Sequence, residues 1–142
     1  MDDLELLLHN DHELLGSQVV HVVVLIKTLE QNTGPTVPLF AEFTRQTDLL
    51  QQQLREHFAF EEAQVFPKLG DALPHVSPRL DRLRQQHEKI SEAFSALVAS
   101  LQAGSEPDWS AAVARSEHFQ ALFSEHANSE AEILRELSKS YG

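Results

Sequence analysis

The stretch that most limits what this chain can fold into is Leu54 to Leu69, LREHFAFEEAQVFPKL. It closes a longer pattern. Phe40, Phe43, Thr47, Leu50, Leu54, His57, Glu61 and Val65 follow one another at spacings of three and four. That spacing places them on one stripe of a helix, and an apolar stripe must be buried against other elements. Two members do not suit an oily interface. His57 and Glu61 are one turn apart, so both side chains point at the same place. A buried carboxylate without a partner costs several kcal/mol or neutralises itself. The rest of the chain has to supply both the helices that cover this stripe and the groups that answer Glu61.

Three further periodic segments do so. The first runs from Asp2 to Glu30, with the stripe Leu8, His12, Leu15, Val19, Val22, Ile26 and Leu29. Asp2, Asp3 and Glu5 crowd its first turn, where carboxylates favour the helix dipole. Its run VVHVVVLI is β-branched, yet the three-four stripe passes through it unbroken, so a helix is expected. Gln31 to Pro38 is a loop punctuated by Gly34-Pro35. The second helix runs from Pro38 to Leu69, with Pro67 placed to end or kink it. A loop from Gly70 to Ser77 follows. Ser77-Pro78 reads as an N-cap and a first-turn proline. The third helix carries Leu80, Leu83, His87, Ile90, Phe94, Leu97 and Leu101. Ala103 to Asp108 breaks the pattern. The fourth helix carries Ala112, Ser116, Phe119, Phe123, His126, Glu130, Ile133 and Leu137. Four helices of similar length and three short connections predict an all-α, up-down-up-down four-helix bundle, with residues 1–142 as a single domain.

Composition removes several function classes. The formal net charge is −11, from 22 acidic and 11 basic residues. That argues against nucleic acid and against an anionic membrane surface as partners. There is no cysteine, hence no disulfide, thiolate metal site or thiol nucleophile. No apolar run approaches the ~20 residues of a membrane span. No basic leader precedes the first helix, so a soluble, cytoplasmic protein is expected.

Each stripe is apolar except at one level. His12 interrupts the first, His57 and Glu61 the second, His87 the third, His126 and Glu130 the fourth. In an antiparallel bundle the four histidines lie about nine to twelve residues from the same end, which at ~1.5 Å per residue brings them to a common height. Four imidazoles and two carboxylates would then converge in the core. Imidazole with carboxylate suits iron, manganese or zinc. Six ligands exceed the four of a structural zinc, so two ions bridged by two carboxylates fit the count better. Taken singly, each histidine reads more readily as a hydrogen-bonded core residue, and His57 with Glu61 as a buried pair. The repetition of His-x-x-x-Glu at matched depth weighs against that.

The other histidines have plainer readings. His75 lies in a loop, His118 is off the stripe, and His21 faces nearly opposite His12. His9, one turn before His12, competes with it. His12 is preferred because it continues Leu8, Leu15 and Val19, whereas His9 shares its face with Glu5 and Glu13. Trp109 is expected to cap the end of the bundle, and Tyr141 falls in the tail.

At these residues the chain resembles the hemerythrin-like (HHE) cation-binding family. The pattern is His, then His-x-x-x-Glu, then His, then His-x-x-x-Glu, one group per helix. HFAFEEAQVFPKL looks like that family's most recognisable segment, while QQHEKI and EHANSEAEIL match more loosely. The resemblance spans essentially the whole chain. It implies a non-haem di-iron centre of two iron ions (Fe2+/Fe3+) with oxo or hydroxo and carboxylate bridges. Glu61 and Glu130 would bridge; His12 and His57 would serve one iron, His87 and His126 the other.

Three departures qualify that implication. Oxygen-carrying hemerythrins have His-x-x-x-His in helix three, and here the second position is Ser91. Their fourth helix places an aspartate five residues after its histidine, not a glutamate four after. The related iron–sulfur repair proteins add a cysteine-bearing N-terminal domain. A missing seventh ligand leaves one iron with an open or water-filled position, which invites dioxygen, peroxide or nitric oxide.

The first expectation is therefore a di-iron protein that binds or reduces a small oxidant, as sensor or scavenger, with weak peroxide-reducing or catalase-like activity as a consequence. The second is an iron-responsive interaction module whose folding reports metal occupancy. The third is a plain structural bundle with a polar core. Ferritin-like oxidases, the rival di-metal class, use a Glu-x-x-His order that this chain lacks at the right depths.

Overall fold

The computed structural model describes residues 3–31, 37–102 and 108–141. Helix α1 spans Asp3–Gln31 and α2 spans Val37–Phe60. A π-helical turn, Glu61–Val65, leads into α3, Phe66–Ala72. A 3-10 turn, Pro74–Val76, leads into α4, Ser77–Gln102, and α5 spans Trp109–Tyr141. Phe60 and Phe66 both keep right-handed helical backbone angles, so α2, the π turn and α3 form one rod. The chain is thus four long rods with no strand among the described residues.

Rod α1 packs against α2 and α5, and α4 packs against α5 and, more lightly, α2. Directions alternate. Leu8, Leu69, Leu80 and Ile133 share one apolar cluster, at the start of α1 and α4 and towards the ends of α3 and α5. Leu29, Phe43, Leu101 and Ala112 share the other, at the opposite ends of their helices. This is the up-down-up-down bundle, built as the stripes require. The β-branched run of α1 is helical, and Val22, Val23 and Ile26 within it are buried. Each such side chain contributes about 1.5–3 kcal/mol on burial, which outweighs a modest helix-propensity penalty.

Several boundaries differ from the sequence reading. The second rod does not stop at Leu69; it passes Pro67 and Gly70 and ends at Ala72. The widened π turn just before Pro67 lets it do so, and the interval read as a loop is mostly helical. Ser77 is not an N-cap. It already has helical angles and its N–H donates to the Pro74 carbonyl, so the 3-10 turn feeds straight into α4. The cap on α5 is Asp108, whose Oδ1 accepts from the Ala111 N–H at 3.1 Å. Gly34-Pro35, Asp2 and most of the Ala103–Asp108 break lie outside the described residues. Trp109 is half-buried and packs edge-on against Phe40, closing that end of the bundle.

The two apolar clusters do not meet across the whole section of the bundle. His12, His57, Glu61, His87, His126 and Glu130 fill the layer between them, flanked by Leu15, Leu54 and Phe123 on one side and Leu8, Val65 and Ile133 on the other.

Candidate metal centre

All six polar stripe residues reach this one layer. Glu61 and Glu130 are 0% exposed, as is His126, while His57 and His87 are buried and His12 is the most exposed of the six. The competing His9 is exposed and pairs with Glu13 at 3.1 Å, on the outer face of α1. The placement follows from helix geometry. His57 and Glu61, like His126 and Glu130, are four residues apart, which stacks them on the inner face of one helix.

The distances form a closed set. His87 Nε2 lies 3.0 Å from Glu61 Oε1 and 3.1 Å from His126 Nε2. His126 Nε2 is 3.3 Å from the same Glu61 oxygen, and His57 Nε2 is 3.2 Å from it. His12 Nε2 is 3.7 Å from Glu61 Oε2. Glu130 straddles the layer, with Oε1 3.6 Å from His12 Nε2 and Oε2 3.5 Å from His126 Nε2. Adjacent ligands bonded at ~2.1 Å to one ion stand ~3 Å apart, so several of these spacings match the edges of a coordination sphere. Two trios have donor atoms within 4.8 Å of one another, His12 with His57 and Glu61, and Glu61 with His87 and His126. Either could hold a metal ion, and Glu61 belongs to both.

The donors also lack other uses. His12 Nε2, His57 Nε2, Glu61 Oε2 and both Glu130 oxygens are buried without a hydrogen bond of good geometry. Orphaned acceptors in a core are costly, and a pair of cations is the chemistry that would satisfy imidazoles and carboxylates together.

Without cations the two carboxyls are forced apart in proton affinity. Burial works to raise Glu61, but the polar groups turned towards it, Glu130, His12, His126 and His57, outweigh burial and hold it well below the usual carboxylate range. Burial, and the Glu61 carboxylate beside it, push Glu130 well above that range. Burial also lowers His126, partly opposed by Glu61, which keeps its imidazole in the neutral form that binds metals.

A second ring of residues stands behind three of the imidazoles, and sequence reasoning missed it. His126 Nδ1 donates to Gln86 Oε1 at 2.9 Å, leaving Nε2 to face the centre. His57 Nδ1 faces Asp11 Oδ2 at 3.5 Å, and His87 Nδ1 faces Glu62 Oε1 at 3.7 Å. Each partner is the chain neighbour of an inward residue on another turn or helix: Asp11 beside His12, Glu62 beside Glu61, Gln86 beside His87. That adjacency was the available signal, because a residue next to an inward one lies at the edge of the helix interface.

Residues 7–137 match the hemerythrin HHE cation-binding domain. The chain belongs to the hemerythrin HHE cation-binding family. No curated protein and no solved structure matches it. One turn after His87 stands Ser91, which is exposed and lines a cleft with Gln51, Leu54 and Arg55 between α2 and α4. Among the described residues, α4 therefore offers this hemerythrin-like centre a single ring. Two openings approach the centre from α1. A groove of about 620 Å³ between α1 and α5 reaches His12 past Gly16 and Ala127. A smaller cleft of about 220 Å³ between α1 and α2 reaches His57 past Asp11 and Glu56. No helix among the described residues is long and apolar enough to cross a membrane.

Proposed function

We propose that this HHE domain holds two iron ions and binds or reduces a small oxidant, dioxygen, peroxide or nitric oxide, as a sensor or scavenger. His12 and His57 would serve one ion, His87 and His126 the other, with Glu61 and Glu130 between them. The observation that carries the reading is that Glu61 Oε2 and both Glu130 oxygens lie buried without a hydrogen bond, within reach of four imidazoles. Iron bound there would supply redox chemistry at an exchangeable coordination position. The protein's part is to orient the His126 ring through Gln86, to set Asp11 behind His57 and Glu62 behind His87, and to leave the His12 side open to a diffusing small molecule while His126 stays sealed. With Ser91 where a further imidazole would stand, the ligand set falls one short of an oxygen carrier's, which favours reaction or sensing over reversible transport.

The test is elemental analysis of protein purified without added metal, with visible spectra in air and after peroxide. About two irons per chain and a ferric absorption band that responds to peroxide are expected. An iron-replete protein with neither band nor response would end the oxidant reading.

One observation favours a second reading. Two fully buried carboxyl groups sit side by side, and without cations the second cannot ionise freely, so folding itself can report iron occupancy to a partner that reads the bundle. A large chelator-induced loss of helix with no reaction towards oxidants would select it.

A further inference from the structure

The second rod contains a defect, and it sits at the metal centre. Between Glu61 and Val65 the helix widens to π geometry, and the Phe66 N–H donates to the Glu61 carbonyl five residues back. Pro67 explains the location. It has no N–H to give Ala63 and its ring would collide with the Ala63 carbonyl, and a π turn directly upstream removes both conflicts without ending the helix. The turn takes up one extra residue.

That residue changes which side chains share a face. Phe58 and Phe66 are eight positions apart. In an unbroken α-helix they would differ by about 80° in direction, since eight steps of ~100° overshoot two turns. With one residue absorbed by the π turn the difference falls to about 20°, as for seven steps. Both rings do lie near-parallel to the same imidazole. Phe58 stacks on His87 at 4.0 Å and 13°, Phe66 at 5.5 Å and 23°. The Arg84 guanidinium covers Phe66 at 5.4 Å and extends the stack.

We infer that Pro67 is a positioning residue for His87, because the π turn it imposes brings Phe58 and Phe66 together onto that one ring. Glu62, which faces His87 Nδ1, leaves the same turn. The ring is thus faced by three residues of the second rod, and the π turn brings the outer two from about 80° apart to about 20°. The consequence for metal rests on the proposed di-metal reading; the arrangement of the rings does not.

The experiment separates the two. In metal-free protein the His87 ring protons, assigned by their loss in His87→Gln, are expected upfield of free imidazole because two aromatic rings shield them. In Pro67→Ala, which restores an N–H and permits a regular helix, they should move downfield, with the helix content kept. Unchanged His87 signals in Pro67→Ala would overturn the inference whatever the metal content. Phe66→Leu keeps Pro67 and removes one wall, and should give a partial shift; no shift there would also overturn it. Titration with Co2+, followed by its visible absorption, should then show one of two bound ions weakened about 10–100-fold in Pro67→Ala, the effect expected for losing an outer support of a ligand. Two Co2+ sites of unaltered affinity would show that the clamp does not position His87 for metal. No Co2+ bound by the parent protein, with the ring shifts as expected, would sink the di-metal reading while leaving the clamp standing.

Discussion

The Nε2 atoms of His87 and His126 face each other at 3.1 Å, with both rings buried. Two neutral imidazoles can meet in this way only if one donates its proton, and His126 commits its Nδ1 hydrogen to Gln86. Its Nε2 is then an acceptor. A cation beside Glu61 would let both rings present lone pairs instead.

Gln86 is therefore expected to matter out of proportion to its half-buried, polar character. Gln86→Leu removes the acceptor that selects the His126 tautomer and should weaken metal binding about 10–100-fold with the fold retained. Competition against a chelator of known affinity, alongside circular dichroism, checks this. An affinity equal to that of the parent would remove Gln86 from the centre.

His9 and His12 make a matched pair of controls one turn apart. His12→Ala should lose at least one metal equivalent, since His12 Nε2 faces both Glu61 and Glu130. His9→Ala should lose none, because that ring is 59% exposed and pairs with Glu13. Elemental analysis of the two variants, purified in parallel, reads the difference directly. Equal metal loss in both would show that α1 is wrongly faced.

The two glutamates predict how the metal-free protein responds to pH. Glu130 has a raised proton affinity in the fold, so its contribution is present in acid and is lost as pH rises through its elevated value. Glu61 is depressed, so its contribution is present above the usual carboxylate range and is lost as pH falls through its lowered value. Relative to Glu130→Gln, which imitates the protonated acid, the metal-free parent should accordingly lose stability from mildly acidic to higher pH; His126, whose proton affinity burial lowers, contributes the opposite slope to both proteins and cancels in the comparison. Urea melts across the pH range provide the measurement. A parent whose stability keeps pace with that of Glu130→Gln over that window would contradict the assignment of the proton to Glu130.

Metal should reverse the trend. Binding must displace the Glu130 proton, so apparent affinity increases with pH until that group is ionised. Removing a metal held at one hundred times its dissociation constant should cost about 2.7 kcal/mol per site. Thermal melts with and without chelator would reveal it as a lower melting temperature. Identical melts for loaded and stripped protein would mean that the buried carboxylates have found some other partner.

Away from the centre the bundle rests on its two apolar clusters. Phe119 is fully buried and packs on Phe94 at 5.1 Å. Phe119→Ala should destabilise the bundle by about 3–5 kcal/mol through the cavity it leaves, with metal stoichiometry unchanged. Denaturant unfolding together with metal analysis tests both halves of that statement.

Much of this was legible in the chain itself, because helix periodicity converts spacing into direction. Leu80, Leu83, His87, Ile90, Phe94, Leu97 and Leu101 fall at threes and fours, and all of them are buried. The same arithmetic put His12, rather than His9, on the inner face. What escaped it was local backbone chemistry. Pro67 reads as the end of the helix or a kink in it because an α-helix cannot pass it unaltered, and the chain in fact widens by one residue and continues to Ala72. Ser77 reads as a cap because its side chain is suited to one, but the preceding 3-10 turn already supplies the backbone bond. Gln86, Asp11 and Glu62 were invisible for a different reason. Each acts across a helix interface, and a polar residue beside an inward one carries no mark of which neighbour it will meet.

The sequence by itself determined the rods, their inner faces and the depth at which six polar groups interrupt them, since these depend only on the rise and rotation of a helix. The tertiary structure alone decided the pairwise geometry: that Glu61 would touch three imidazoles through one oxygen, that Glu130 would span the layer, and that His87 would be clasped by Phe58 and Phe66. Those depend on how far each rod turns about its own axis when its side chains interlock with three others, and a single absorbed residue at Glu61–Val65 resets that rotation.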